Sequence, residues 1–394
     1  MTDTKASTVD SLIAHDAQIL SRQLQRLREK LFPPEAKKAL RRFPIGEVAR
    51  LIGVSDSYLR QLSLAGEGPI PDVGPGGRRN YTLTQINALR EHLAASADPE
   101  KAKQYLPRRT DKDHLQIIAV TNFKGGSCKT TTAVHLSQYL ALRGYRVLAI
   151  DIDPQASLST LLGFQPEFDL APNETLYGAL RYDEERRPLA DIIRPSYFDG
   201  LSVVPANLEL AEFEHDSAIR GGHFFAGLLE ALDSVENDFD IVVIDCPPQL
   251  GFLTLAALCA ATSILVTIHP EMLDLASMDQ FLLMTADFLT VVRRETGADL
   301  SYDFFRYVIT RHQTNDSPQA QIIGFLRNLF GERVLTNVAL QSAAVSDAGL
   351  SKQSIYEVVR DKNFSRETYA RALESFDAVN GEIETLIKKA WNRT

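Results

Sequence analysis

The chain is poor in the residues that signal disulfide, metal-cluster or membrane chemistry. Only three of its 394 residues are cysteine, Cys128, Cys246 and Cys259, and no two form a Cys-x-x-Cys pair. A disulfide framework is therefore excluded, and a reducing cytoplasm is the simple reading. No apolar run approaches the roughly 20 residues that span a bilayer, and the polar first residues lack a signal-peptide core. Compositional bias is absent too: 44% apolar and 24% charged residues are ordinary for a soluble globular protein. A chain of 394 residues is long enough for two or more domains and a sizeable core.

Charge is present but unevenly spread. Residues 1–113 hold 19 Lys/Arg against 14 Asp/Glu, a net of +5. The remainder holds 23 against 37, a net of −14, giving −9 for the whole. A basic front on an acidic body suggests that the N-terminal third meets nucleic acid.

The octet Lys124-Gly125-Gly126-Ser127-Cys128-Lys129-Thr130-Thr131 carries the most information. It follows the apolar run 115–121, which reads as a buried strand, and precedes residues 132–142, apolar at helical spacing. A strand, a small-residue loop with a lysine, and Thr at a helix start form the setting of a P-loop. Amides of such a loop and the helix N-terminus favour an anion. Lys129 is placed for the β- and γ-phosphates, and Thr130 for Mg²⁺. Lys124, a second lysine at the front of the loop, is not required by an ordinary P-loop.

Two further strings end apolar strands in acids. In Asp151-Ile152-Asp153-Pro154-Gln155 the two aspartates lie two apart, so an extended chain points both to one side. Residues 239–248, Phe-Asp-Ile-Val-Val-Ile-Asp-Cys-Pro-Pro, place Asp245 after four apolar residues, as a Walker B strand does. From about residue 114 strands and amphipathic helices alternate, which predicts an α/β fold with a mostly parallel, doubly wound sheet. In such a sheet the C-terminal strand ends face the ligand crevice.

The N-terminal third adds two patterns. Within 9–31, Ile13, Leu20, Leu24, Leu27 and Leu31 form a heptad-like stripe, with Arg22, Arg26, Arg28 and Lys30 off it, ended by Phe32-Pro33-Pro34. Packing on its own domain and intersubunit dimerisation are equal readings. Residues 43–55 then read as a helix broken by Gly53, with Ser55 capping a second helix. That helix turns Tyr58, Leu59 and Leu62 inward and Arg60 outward; Ser57, Tyr58 and Arg60 are candidates to meet DNA. A Gly-rich loop follows with Arg78 and Arg79, then a capped helix from Thr84. A helical hairpin used for protein contact is the alternative to a helix-turn-helix.

The octet resembles the deviant Walker A motif, Lys-Gly-Gly-x-Gly-Lys-Thr-Thr, of the ParA/MinD/nitrogenase-iron-protein superfamily. The resemblance implies that Lys124 reaches the partner subunit's nucleotide across an ATP-sandwiched dimer, while Lys129 acts in cis. Cys128 departs from the motif's Gly, which raises the question of backbone angle. The Asp-x-Asp-Pro-Gln string is similar to the family's, which implies that Asp153 positions the attacking water. A carboxylate is a weak base at neutral pH, so orientation is favoured over full proton abstraction. For Asp151, a place in the phosphate/Mg²⁺ shell and a buried hydrogen bond remain equal readings. Asp245 would hold Mg²⁺ through water, and Cys246-Pro247-Pro248 would begin a γ-phosphate-sensing switch. Thr310, Arg311 and Thr336, after later strands, are candidates for nucleotide binding through contacts to the ATP base.

Residues 43–94 resemble the winged MerR-type helix-turn-helix of large plasmid-type ParA proteins, with Arg78 and Arg79 on the wing. The whole is most similar to the RepA proteins of repABC replicons. That resemblance implies residues 1–35 as a dimerisation helix, 36–95 as a winged helix-turn-helix, 96–113 as a linker and 114–394 as the ATPase. It implies a slow Mg²⁺-dependent ATPase that forms ATP-dependent homodimers on nonspecific DNA. It further implies a ParB-like (RepB-type) centromere-binding partner, operator binding with autorepression, and a cytoplasmic, nucleoid-associated location without a membrane role. Lys352, Arg366 and Arg371 are the body's candidates for DNA contact. Alternatives are a repressor with a nucleotide-sensing body and a MinD-like membrane cycler, whose amphipathic helix would use Ile383, Leu386, Ile387 and Trp391 with Lys388 and Lys389. Iron–sulfur chemistry would need Cys246 and Cys259, which read better as spectator thiols.

Overall fold

The computed structural model describes residues 8–31, 38–220, 224–297, 300–358 and 365–393. The chain divides into two units, residues 1–39 and residues 40–394. In the first, helix α1 (Val9–Leu31) spans 23 residues. Of the expected stripe, Ile13 and Leu20 are exposed; the side chains of Leu24, Leu27 and Leu31, and the Phe32-Pro33-Pro34 stop, lie outside the described residues.

The second unit opens with β1 (Phe43–Pro44), α2 (Ile45–Ile52) and α3 (Asp56–Ala65). Gly53 ends α2 at φ 84°, a left-handed angle that favours glycine. The Ser55 hydroxyl caps α3 by accepting from the Tyr58 amide at 3.2 Å. Strands β2 (Asp72–Gly74) and β3 (Arg78–Tyr81) form a hairpin, and β1 pairs with β3, giving a small antiparallel sheet. Two helices, a three-residue turn and a hairpin wing therefore follow one another as the sequence suggests. Two details differ. Leu59 and Leu62 are buried, but Tyr58 is exposed. Helix α4 (Leu83–Ala95) starts before Thr84, because Thr82 and Gln85 form a reciprocal capping box at its N-terminus.

After α5 (Pro99–Tyr105) comes a seven-stranded sheet built from β4 (Gln116–Thr121), β5 (Val147–Asp151), β6 (Arg194–Pro195), β7 (Leu201–Val204), β8 (Ile241–Asp245), β9 (Ser263–Ile268) and β10 (Phe304–Ile309). Their order is β10-β9-β4-β8-β5-β7-β6. Every pairing is parallel except that of the edge strand β6 with β7. Both faces are covered, so these strands read as unbroken apolar runs. Ile118 and Val120 of β4 join one core, shared with α6 (Lys129–Arg143) and the C-terminal helix Arg366–Ala390. Ile117 and Ala119 join the other, under the helix Phe252–Ala260.

The first core is continuous with that of the small winged segment. Arg90, on α4, is buried at their junction. Its guanidinium donates to the carbonyls of Leu51 at 2.7 Å, Leu142 at 2.9 Å and Tyr105 at 3.1 Å. These oxygens lie in the last turns of α2, α6 and α5, where carbonyls lack partners and the helix dipole is negative. Burial pulls the Arg90 pKa down to about 9, still charged at neutral pH. Gly144 makes room: it sits at φ 99°, and a Cβ there would come within 2.9 Å of Arg90 Cδ.

The C-terminal helix buries the face that a membrane reading would require. Ile383 and Ile387 are fully buried, Leu386 is partly covered, and Trp391 donates its indole N–H to the His114 carbonyl at 2.9 Å. Lys388 pairs with Glu384 at 2.8 Å. The expectation that no run approaches membrane length needs one amendment. Helix Met272–Thr296 has the length and composition to cross a bilayer. It carries Asp274, Asp279 and Asp287, however, and Asp274 is buried against the phosphate loop described next.

A candidate phosphate-binding site at the strand ends

Strand β4 delivers the chain into the loop 122–128, and α6 begins at Lys129. Asn122 is the loop's first brace. Its side-chain amide donates to the Thr267 carbonyl of β9, and its oxygen accepts from the Lys124 amide at 3.0 Å. The Ser127 hydroxyl donates to the Lys124 carbonyl at 3.2 Å and accepts from Thr267 at 3.0 Å. Thr310, just after β10, closes the far side by donating to the Ser127 carbonyl at 3.1 Å. The loop after β4 is thus braced from β9 and from the end of β10.

Gly126 and Cys128 both adopt left-handed angles, φ 80° and φ 65°. A glycine takes such an angle freely, whereas a residue with a Cβ is strained by about 1–2 kcal/mol. The substitution that departs from the motif therefore falls where glycine is favoured, and Cys128 carries that strain. Arg311, at φ 53°, is a second strained residue beside it. Strain of this kind collects at binding sites. Burial pushes the Cys128 thiol up, and nearby Arg311 opposes this. Cys128, Thr131, Thr310, Arg311, Leu340 and Gln341 are among the residues around a cavity of about 240 Å³.

The two lysines have different surroundings. Lys129 is buried, its ammonium donating to the Lys124 carbonyl at 3.0 Å. Burial lowers its pKa, against the pull of Asp245 and Asp153. Lys124 is half-exposed and forms an ion pair with buried Asp274. Sequence reasoning missed Asp274, which lies 150 residues away in the chain. Its one signal was an acid amid apolar neighbours, Met272-Leu273-Asp274-Leu275.

Asp151 and Asp245 end adjacent strands in register, β5 and β8. Asp151 is fully committed: it accepts from the Ser159 amide at 2.8 Å, the Ser159 hydroxyl at 2.7 Å and the Asp153 amide at 3.1 Å. The buried hydrogen bonds of one of its two readings are present. Burial raises its pKa despite these donors. Asp245 is different. Both its carboxylate oxygens are buried, and neither accepts a hydrogen bond of normal geometry among the described residues. Burial raises its pKa well above the usual range, and the Asp151 charge adds to this, while Thr130 and Lys129 oppose it. A buried carboxylate with empty lone pairs, next to a P-loop threonine, fits a hard cation with oxygen ligands. Asp153 lies just beyond β5, half-buried, and its carboxylate accepts from the Gln155 amide at 2.9 Å.

The two thiols that an iron–sulfur reading would use are apart in kind. Cys246 is buried and Cys259 is half-buried in the helix Phe252–Ala260. Burial pushes the Cys259 thiol up to about 12 and the Cys246 thiol higher still. Among the described residues no cluster of three potential metal ligands of the His/Cys/Asp/Glu type exists.

The residues expected to meet DNA are not all together. Ser57, Tyr58 and Arg60 share the exposed side of α3, and Arg78 is exposed on the wing. Arg79 is half-buried and bonds Ser63 of α3 at 3.1 Å, bracing the wing. Arg366 and Arg371 are exposed on the C-terminal helix, whereas Lys352 is half-buried at φ 53°. Thr336, a candidate for contact with the nucleotide base rather than with DNA, follows the helix Ser317–Phe330, and its amide donates to Glu382 at 2.8 Å.

Comparison with known proteins places this arrangement. Residues 115–296 match an AAA domain family. The "Putative replication protein A" of Sinorhizobium fredii is 50% identical over 392 residues, covering 98% of this chain and 95% of that protein. Protein SopA of Escherichia coli (strain K12) is 31% identical over 374 residues, covering 91% of this chain and 92% of its own length. Among solved structures, a cobyrinic acid a,c-diamide synthase from Mycobacterium smegmatis, with bound ATP analogue and magnesium, superimposes with TM-score 0.50. It is 29% identical and covers 60% of this chain and 94% of its own.

Proposed function

Because this chain belongs to the ParA-type plasmid partition ATPases, a P-loop family that uses ATP and Mg²⁺, we propose that it works as a nucleotide-timed switch on DNA. ATP assembles a homodimer that grips nonspecific DNA, and a ParB-like (RepB-type) centromere-binding protein triggers release by stimulating hydrolysis. The winged segment binds the protein's own operator and represses it. The N-terminal segment, residues 1–35, supports dimerisation, and the molecule works in the cytoplasm on the nucleoid.

Lys124 is the observation that carries this reading. An ordinary phosphate loop needs one lysine, and this one brings two to the same strand ends. Lys124 forms its ion pair in cis, with Asp274 of the same chain. To reach a partner's nucleotide it has to leave that carboxylate, so dimerisation competes with an internal ion pair.

Phosphoryl transfer to water calls for charge neutralisation and an aligned nucleophile rather than covalent chemistry. The loop amides and Lys129 supply fixed positive charge where the phosphates sit. Thr130 and Asp245 would hold Mg²⁺, which when bound neutralises charge on the β- and γ-phosphates. Asp153 orients the attacking water, and Asp151 fixes the Asp153 backbone through its amide. Asp153→Ala should keep ATP binding and lose hydrolysis; full turnover in that variant would refute the assignment. The switch itself is tested by binding to nonspecific duplex with ATP, with ADP and without nucleotide, across a salt series. ATP-only binding with a steep salt slope supports the proposal. Binding indifferent to nucleotide would favour a repressor with a nucleotide-sensing body.

A further inference from the structure

A cleft of about 450 Å³ lies on the other side of α6 from its phosphate-binding end, where the last turns of α2, α5, α6 and the C-terminal helix converge. Its lining includes six cations: Arg50, Arg90, Lys103, Arg143, Lys388 and Arg393. Glu100 and Glu384 are the acids there. Three of the six, Arg50, Arg90 and Lys103, come from the basic first 113 residues, and three from the acidic remainder.

Pairing leaves much of this charge unanswered. Asp113, just outside, takes Arg393, and Glu100 takes Lys103 at 3.0 Å. Glu384 alone answers both Arg143 at 3.5 Å and Lys388 at 2.8 Å, while accepting from the hydroxyls of Tyr139 and Tyr145. Arg50 has no ion-pair partner among the described residues. Arg90 is 1% exposed, binds only carbonyls, and its Nε is buried with no hydrogen-bond partner. Six positive groups thus face three carboxylates, one of them shared. Because Arg90 already caps the helix ends that would repel an anion, the remaining field of the cleft is positive.

We propose that this cleft is a second anion site, separate from the P-loop, for a compact polyphosphate such as the phosphate chain of a nucleotide. Its volume lies within the range of small-ligand pockets, and its cations come from five helices and the residues just after the last of them, around one concavity. A duplex backbone is better met by a convex or flat row of charges. Bound there, the anion bridges Arg50 on α2 and Arg143 on α6, tightening the winged segment on the ATPase body.

The test is isothermal titration of tripolyphosphate into the full chain, using Lys129→Gln to weaken the phosphate loop. One site should persist in Lys129→Gln. Adding Arg50→Glu and Lys103→Glu, both exposed positions, should weaken it by roughly tenfold or more, as reversing two charges near an anion implies. The ligand-free melting temperature should stay that of Lys129→Gln, and Lys388→Gln should weaken the same site if the double reversal proves insoluble. Absence of binding in Lys129→Gln, or binding indifferent to the reversals, would overturn the proposal. So would complete displacement by equimolar duplex DNA, which would make the cleft a backbone contact. None of these results bears on the Asp153 or nucleotide-switch assays.

Discussion

His135 sits on α6 one turn after Thr131 and is fully buried. Its Nδ1 is 2.7 Å from the Thr131 carbonyl, and its Nε2 accepts from the Ile355 amide at 3.3 Å. Those partners demand a neutral ring with the proton on Nδ1. The ring also stacks on Phe376 of the C-terminal helix, 4.1 Å between centroids. Burial pulls its pKa from 6.5 down to about 4. The unfolded chain therefore takes up a proton before the folded one does. The stability His135 allows is complete above pH 6.5 and is lost as pH falls towards 4. At about 1.4 kcal/mol per pH unit, that interval is worth roughly 3 kcal/mol, or about 4 °C in melting temperature for a chain of this size. The assay is melting between pH 7.5 and 4.5 for the wild type and for His135→Gln, which stays neutral throughout. The variant should start lower at pH 7.5, having lost the stack, and then fall less steeply. Parallel pH profiles would refute the reasoning, because the carboxylates common to both proteins would then account for the whole acid loss.

Cys128→Gly should relieve about 1–2 kcal/mol of left-handed strain, offset by roughly 0.5–1 kcal/mol of extra chain entropy. A small net rise in stability is expected in chemical denaturation, and a fall would show that the thiol's contacts outweigh its backbone cost. Asp245→Asn should raise the melting temperature of the nucleotide-free protein, since it removes a fully buried carboxylate whose oxygens accept no hydrogen bond of normal geometry among the described residues. The gain should widen as pH rises, because a raised folded pKa means stability lost on ionisation. The same variant should lose the stabilisation that ATP with Mg²⁺ confers, and an unchanged Mg²⁺ response would remove Asp245 from the metal site. Lys129→Gln should abolish ATP turnover, read as phosphate release.

The parallel sheet and the loop were legible because each rests on a local pattern. The apolar runs ending at Thr121, Asp151 and Asp245 became β4, β5 and β8, and the loop begins one residue after β4. Gly53 and Ser55 likewise act through their own backbone and nearest neighbours. What escaped was set by distant contacts. Asp274 meets Lys124 only because β9 lies beside β4, and no spacing in the chain reports that. Tyr58 shares its helix with Leu59 and Leu62, yet one position of rotation leaves it exposed. The apolar stripe of the C-terminal helix suits a membrane or a protein core equally, and only the presence of α6 and β4 beneath it decides. Asp151 and Asp153 differ in a way the strand pattern hides, since Ser159 belongs to the following short helix.

The Arg90 junction has a consequence for how such a protein diversifies. Its three acceptors are main-chain carbonyls, the one chemical group that every residue supplies. Side chains of α2, α5 and α6 can be exchanged there without removing a single acceptor, provided the helices keep their length. The joint is thus insensitive to sequence on one side and strictly dependent on Arg90 and Gly144 on the other. The outward face of α3 is free to drift in its chemistry while its mounting stays fixed. Lineages could acquire new recognition surfaces on an unchanged nucleotide-binding frame, much as tool heads are swapped on one shank.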